Sequence, residues 1–75
     1  MWLYEAPVKT KLTITAIVSE HIDDRKELHK IGILPGNTLT ILNKKKNYYT
    51  LSILDQTFVY RAEEISKSIQ VKYTT

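Results

Sequence analysis

A chain of 75 residues with eleven Lys and Arg against eight Asp and Glu carries a formal charge of +3, 43% hydrophobic residues and no Cys. One domain, 1–75, with a small core follows from that length, and the missing Cys excludes a disulfide framework, a thiolate metal site and a Cys nucleophile while fitting a reducing, cytoplasmic compartment. No apolar run approaches the roughly 20 residues of a membrane-spanning helix, no Gly-rich phosphate loop or nucleophile elbow occurs, and so short a chain hardly supplies the supporting shell of an active site. The expectation is a binding module, not an enzyme, with no cofactor and no resident metal.

Lys11-Leu12-Thr13-Ile14-Thr15-Ala16-Ile17-Val18 alternates with a period of two, which predicts a strand with Leu12, Ile14 and Ala16 inward. Asp23 to Gly32 then reads as a short helix. Asp24 is placed to cap it, Glu27 to reach back in a capping box, and Gly32 to end it in the left-handed conformation. Leu34-Pro35-Gly36-Asn37 predicts a type II turn, with Pro fixing φ at the second position and Gly supplying positive φ at the third. Thr38 to Asn43 and Tyr48 to Leu54 alternate on either side of a polar gap, Lys44 to Asn47, as a hairpin with a lysine tip. Leu39, Ile41, Tyr49, Leu51 and Ile53 form its inward set. Asp55-Gln56 is read as the next turn, Thr57 to Arg61 as a third strand of a meander, Ala62 to Lys67 as one helical turn, and Ile69 to Tyr73 as a closing strand that pairs with the first. Five short strands with one short helix between the first two, in a mainly β chain, predict a small, strongly bent five-stranded β-barrel whose closure hides strand edges.

Residues 1–37 hold five basic and five acidic groups, and residues 38–75 hold six and three. The excess equals Lys44-Lys45-Lys46, so the charge is one local cluster and not a cationic face. Beside Tyr48 and Tyr49 that tip could meet an acidic partner, a nucleic-acid phosphate or an anionic lipid, or simply keep an edge solvated. Three lysines contribute only about 3 kcal/mol at an anionic membrane surface. His21 and His29, eight apart, have the wrong helical separation for a shared metal. Asp23, Asp24 and Glu27 are explained by the needs of a helix N-terminus. The aromatic start Trp2-Leu3-Tyr4 either packs over one end of the barrel or serves an intermolecular contact.

The run Arg25-Lys26-Glu27-Leu28-His29-Lys30-Ile31-Gly32-Ile33-Leu34-Pro35-Gly36 resembles the Arg, Leu, apolar-Gly-Ile, Pro-Gly signature of the FeoA domain family. Leu39 and Ile41, the segment Phe58 to Glu64, and Ile69-Gln70-Val71 follow in the same order, so the resemblance covers about Leu12 to Val71. Thr10 and Lys11 stand where a glycine is usual, Asp55-Gln56 replaces a Gly-containing turn, and the Trp2-Leu3-Tyr4 start has no counterpart in the motif.

The resemblance implies an SH3-like barrel and the small cytosolic accessory protein of bacterial ferrous-iron transport. Such a protein associates with the cytosolic, GTP-binding region of the membrane permease FeoB and modulates its assembly or activity. Similar domains end metal-dependent transcriptional repressors, but too little chain precedes the helix here for a DNA-binding domain. A freestanding component is therefore expected, with no nucleic acid and no membrane insertion, and with self-association left open. The partner-binding surface is expected around Arg25, Lys26, Leu34, Pro35 and Gly36, with Lys44, Lys45, Lys46 and Tyr48 as a further contact. The alternative reading is an SH3-like nucleic-acid-binding or regulatory interaction module that uses the lysine tip and its tyrosines.

Overall fold

The computed structural model describes residues 1–18 and 22–74, with the side chains of Ile22, Asp23 and Asp24 outside that description. Five strands, β1 (Lys11–Ile17), β2 (Thr38–Lys44), β3 (Tyr48–Ile53), β4 (Gln56–Arg61) and β5 (Ile69–Tyr73), form one antiparallel sheet in the order β4-β3-β2-β1-β5. Helix α1 (Ile22–Lys30) separates β1 from β2, and the single turn α2 (Ala62–Ile65) precedes β5. The predicted meander and the pairing of the last strand with the first are both present.

Alternation carries these strands, but two bulges change its phase. On β1, Ile14 pairs with Val71 and Ala16 with Gln70, so Thr15 is the extra residue. The slip brings Ile17, opposite Ile69, against the core, in place of the predicted Ala16. On β2 the extra residue is Leu42, which is exposed, and beyond it Lys44 comes opposite Tyr49. The strand therefore runs on through Lys44, and the hairpin loop is Lys45 to Asn47. The next turn is also displaced from its predicted place. Leu54 and Asp55 have φ of 50° and 64°, the left-handed pair of a two-residue type I′ turn, and Gln56 already pairs with Ile53 as the first residue of β4.

The helix end follows its sequence. Gly32, at φ 100°, donates its N–H to His29 O at 3.1 Å, and Ile33 donates to Leu28 O at 2.9 Å. These two bonds are a Schellman motif, and Leu28 with Ile33 supplies its hydrophobic contact within the core. α1 begins at Ile22, two residues ahead of Asp24, and the Asp24 side chain on which the expected capping box rests lies outside the described residues. His21 lies outside the described residues.

A core of Leu12, Ile14, Leu39, Ile41, Leu51, Ile53, Ile69 and Val71 fills the sheet, with Leu28, Ile33 and Ile65 from the helices and the turn after α1. The N-terminal segment contributes Leu3 and Ala6 to it, while Trp2 is half-buried and Tyr4 exposed. Trp2 bridges Gln70, Val71 donates to Met1 O at 2.8 Å, and a 3-10 turn over Leu3–Glu5 buries Leu3 and places Ala6 beside it. The N-terminal segment thus lines the outer side of β5. No described residue pairs β4 with β5, so the barrel is bent but not closed by a hydrogen-bonded ladder.

Candidate functional site

The turn Leu34-Pro35-Gly36-Asn37 is the predicted type II turn: Gly36 has φ 96°, and Asn37 donates to Leu34 O at 3.0 Å. It is fixed on both sides. Ile14 donates to Asn37 O and Gly36 to Ile14 O, each at 2.8 Å, and the Asn37 Nδ2 donates to Gly32 O at 2.8 Å. The first two bonds fasten the turn to β1, and the third fastens it to the end of α1.

On α1, positions 25, 26 and 29 share one face, since residues three and four apart are helical neighbours. Arg25, Lys26 and His29 thereby meet Pro35 and Ile17 around an open depression of about 320 Å³. Arg25, Lys26, His29 and Pro35 are exposed, Ile17 is half-buried, and among the described residues no carboxylate lines the depression. Of the residues singled out in the sequence, Arg25, Lys26 and Pro35 are brought together here. Leu34, half-buried, and Gly36 shape the turn behind it. Ile17 and His29 were missed as members: His29 was weighed only as a metal ligand, and Ile17 arrives through a bulge that alternation conceals.

The lysine tip divides. Lys44 turns back, and its Nζ donates to the carbonyls of Tyr4 and, at 2.7 Å, Ala6, while lying 5.7 Å from the centre of the Tyr49 ring. Desolvation in this position lowers its pKa from the ordinary lysine value. Lys44 therefore fastens the N-terminal turn to the hairpin, and only Lys45 and Lys46 remain as an exposed tip. Lys46 and Tyr48 reappear at a second open groove of about 290 Å³ with Asn47, Arg61, Ala62 and Glu63. There the Arg61 guanidinium lies 3.6 Å from the Glu63 carboxylate on an exposed surface, where water and salt screen the pair.

Two tyrosines titrate high. Burial raises the Tyr49 hydroxyl above its ordinary value, and Tyr60 is raised first by burial and then by the carboxylates of Glu27 and Glu64. Among the described residues no three His, Asp or Glu side chains gather as a metal-binding cluster. Among the described residues no helix is long and apolar enough to cross a membrane.

A bent antiparallel sheet of five strands with a helix between the first two defines a small SH3-like β domain. The sequence profile of the FeoA domain matches residues 1–73, and the chain belongs to that family, which is linked to ferrous-iron transport. The match includes the Trp2-Leu3-Tyr4 start, which has its place in the family after all. Among solved structures, an iron uptake regulatory protein (FeoA) is 20% identical, covering 99% of this chain and 97% of its own, with a TM-score of 0.85. A FeoA-like protein from Clostridium acetobutylicum is 25% identical, covering 100% and 87%, with a TM-score of 0.80. The same fold forms 41% of a manganese-dependent transcriptional repressor that is 16% identical and covers 99% of this chain, with a TM-score of 0.86. No curated protein matches.

Proposed function

We propose that this chain is a cytoplasmic, non-enzymatic accessory of ferrous-iron transport that docks on the cytosolic region of a FeoB-type permease and modulates its assembly or activity. Family membership supports the transport setting. The observation that carries the docking face is the depression at the helix-to-turn junction. Three basic side chains, Arg25, Lys26 and His29, surround two apolar ones, Ile17 and Pro35, on a backbone pinned by a Schellman motif and a hydrogen-bonded turn. A rigid, cationic, partly apolar surface suits an acidic protein surface with an apolar anchor.

Titration of the protein with the matched permease's complete cytosolic region tests this. Saturable binding is expected, and the double variant R25E/K26E should weaken it at least about tenfold while leaving the melting temperature unchanged. Absence of binding at high micromolar concentration removes the reading.

A second reading rests on the groove that joins Lys46, Tyr48 and Arg61, where cationic side chains flank an aromatic ring as in single-strand nucleic-acid grooves. Binding to oligonucleotides at low salt, falling steeply as salt rises, supports it; no binding at low salt removes it.

A further inference from the structure

The sheet ends differently on its two sides. Beyond β5 the backbone is met by Met1 and Trp2, whereas beyond β4 no described residue pairs with the backbone. The two-residue turn at Leu54-Asp55 sets the phase of the ladder. Ile53 and Gln56 close it as a hydrogen-bonded pair, so Gln56, Phe58 and Tyr60 direct their amides and carbonyls at β3, while Thr57, Val59 and Arg61 direct theirs away. The Arg61 carbonyl turns into α2 as its N-cap. Left over are the N–H groups of Thr57, Val59 and Arg61 and the carbonyls of Thr57 and Val59, without a backbone partner among the described residues.

Free edges are normally blunted by lysine, proline, a bulge or shortness. β4 has six residues, neither Pro nor Lys, and an unbroken register against β3, although bulges interrupt both the β1–β5 and the β2–β3 pairing. At its middle stands Val59, a β-branched apolar residue that is 63% exposed.

We propose that β4 is a self-association edge, to which a second copy of this chain adds its own β4 antiparallel about a two-fold axis at Val59. The segment Gln56–Arg61 is self-complementary in that register. Val59 lies opposite the partner's Val59, so two exposed apolar side chains cover each other. Arg61, the only charge in the strand, lies opposite the neutral Thr57 of the partner subunit, so no like charges meet. One strand from each copy falls short of the roughly 1,200 Å² of a stable interface, which makes the dimer weak and concentration-dependent.

Sedimentation velocity from about 10 μM to about 1 mM should show a monomer–dimer equilibrium, with slower exchange of the Thr57 and Val59 amides at the higher concentration. Val59→Lys should weaken the dimer at least about tenfold. Thr57→Glu, placed against the Arg61 of the partner subunit, should tighten it, and Thr57→Lys should weaken it. Both side chains face solvent, and melting curves confirm that each variant is folded. A wild-type chain that stays monomeric throughout, or a dimer indifferent to both Val59→Lys and the Thr57 charge reversal, overturns the proposal.

Discussion

Lys44 shows how a single side chain changes meaning between sequence and structure. In the sequence it is one of three identical lysines, and its isolation from Lys45 and Lys46 comes from the Leu42 bulge and the proximity of the Tyr4 and Ala6 carbonyls. Lys44→Met should destabilise the fold by about 2 kcal/mol, the usual worth of hydrogen bonds to a charged group, whereas Lys45→Ala and Lys46→Ala should each stay within about 0.5 kcal/mol. Urea denaturation of the three variants checks this. Gly32 is a second such residue. A Cβ there would come 2.6 Å from Leu54 Cδ1, the movable tip of an exposed side chain, and 3.2 Å from Cγ2 of the buried Ile53, so the steric conflict is only partly relieved by moving Leu54 and the φ of 100° is not relieved at all. Gly32→Ala should cost about 1–2 kcal/mol, and adding Leu54→Ala should recover little of it.

Buried Tyr49 and half-buried Tyr60 give a pH dependence with a definite sign. Their folded pKa values stand above the ordinary 10.0, so the stability they contribute is fully present below that pH and is lost as pH rises beyond it. Lys44, lowered from 10.5 by desolvation, opposes them, because the cost of holding its half-buried charge falls away as pH approaches that value. Tyr60→Phe should flatten the alkaline loss, read from urea midpoints between about pH 9 and about pH 11. Glu27→Gln should reduce it by a smaller amount, since burial is the larger cause.

At the scale of elements, the β3–β4 hairpin turns through two non-glycine residues at positive φ, a conformation that costs of order 1–3 kcal/mol per residue. Replacing Leu54-Asp55 with Asn-Gly, the pair that type I′ turns prefer, should raise stability by about 1 kcal/mol and the melting temperature by roughly 4–8 °C. Turn identity was misread in the sequence because Asp and Gln are both acceptable turn residues, and nothing local marks Leu as the first. Gly32 and Pro35-Gly36 were read correctly for the opposite reason. Only glycine takes φ near +100° without strain, so these residues announce their own geometry.

For the whole molecule, the candidate face was half legible. Arg25, Lys26 and Pro35 could be placed together because a helix, a Gly stop and a Pro-Gly turn follow one another directly along the chain. Ile17 could not be placed there, because it arrives from β1 through the bulge at Thr15, which pairing with β5 creates. The location of the N-terminal segment was likewise a choice between packing and intermolecular contact until Trp2 met Gln70. Its fully buried Leu3 ties the segment to the core. Leu3→Ala should cost about 2–5 kcal/mol, the usual loss for a fully buried leucine, measurable as a lowered denaturation midpoint.

Alternation, glycine and proline by themselves determined the five strands, the short helix, its C-terminal stop and the turn that follows, because each of these depends on neighbours a few residues away. Bulge positions, the inward swing of Lys44, the covering of β5 by the N-terminus and the edge of β4, unpaired among the described residues, were decided only in the tertiary structure. They depend on which strand lies beside which, and a one-residue slip between distant segments reverses the face every following side chain presents.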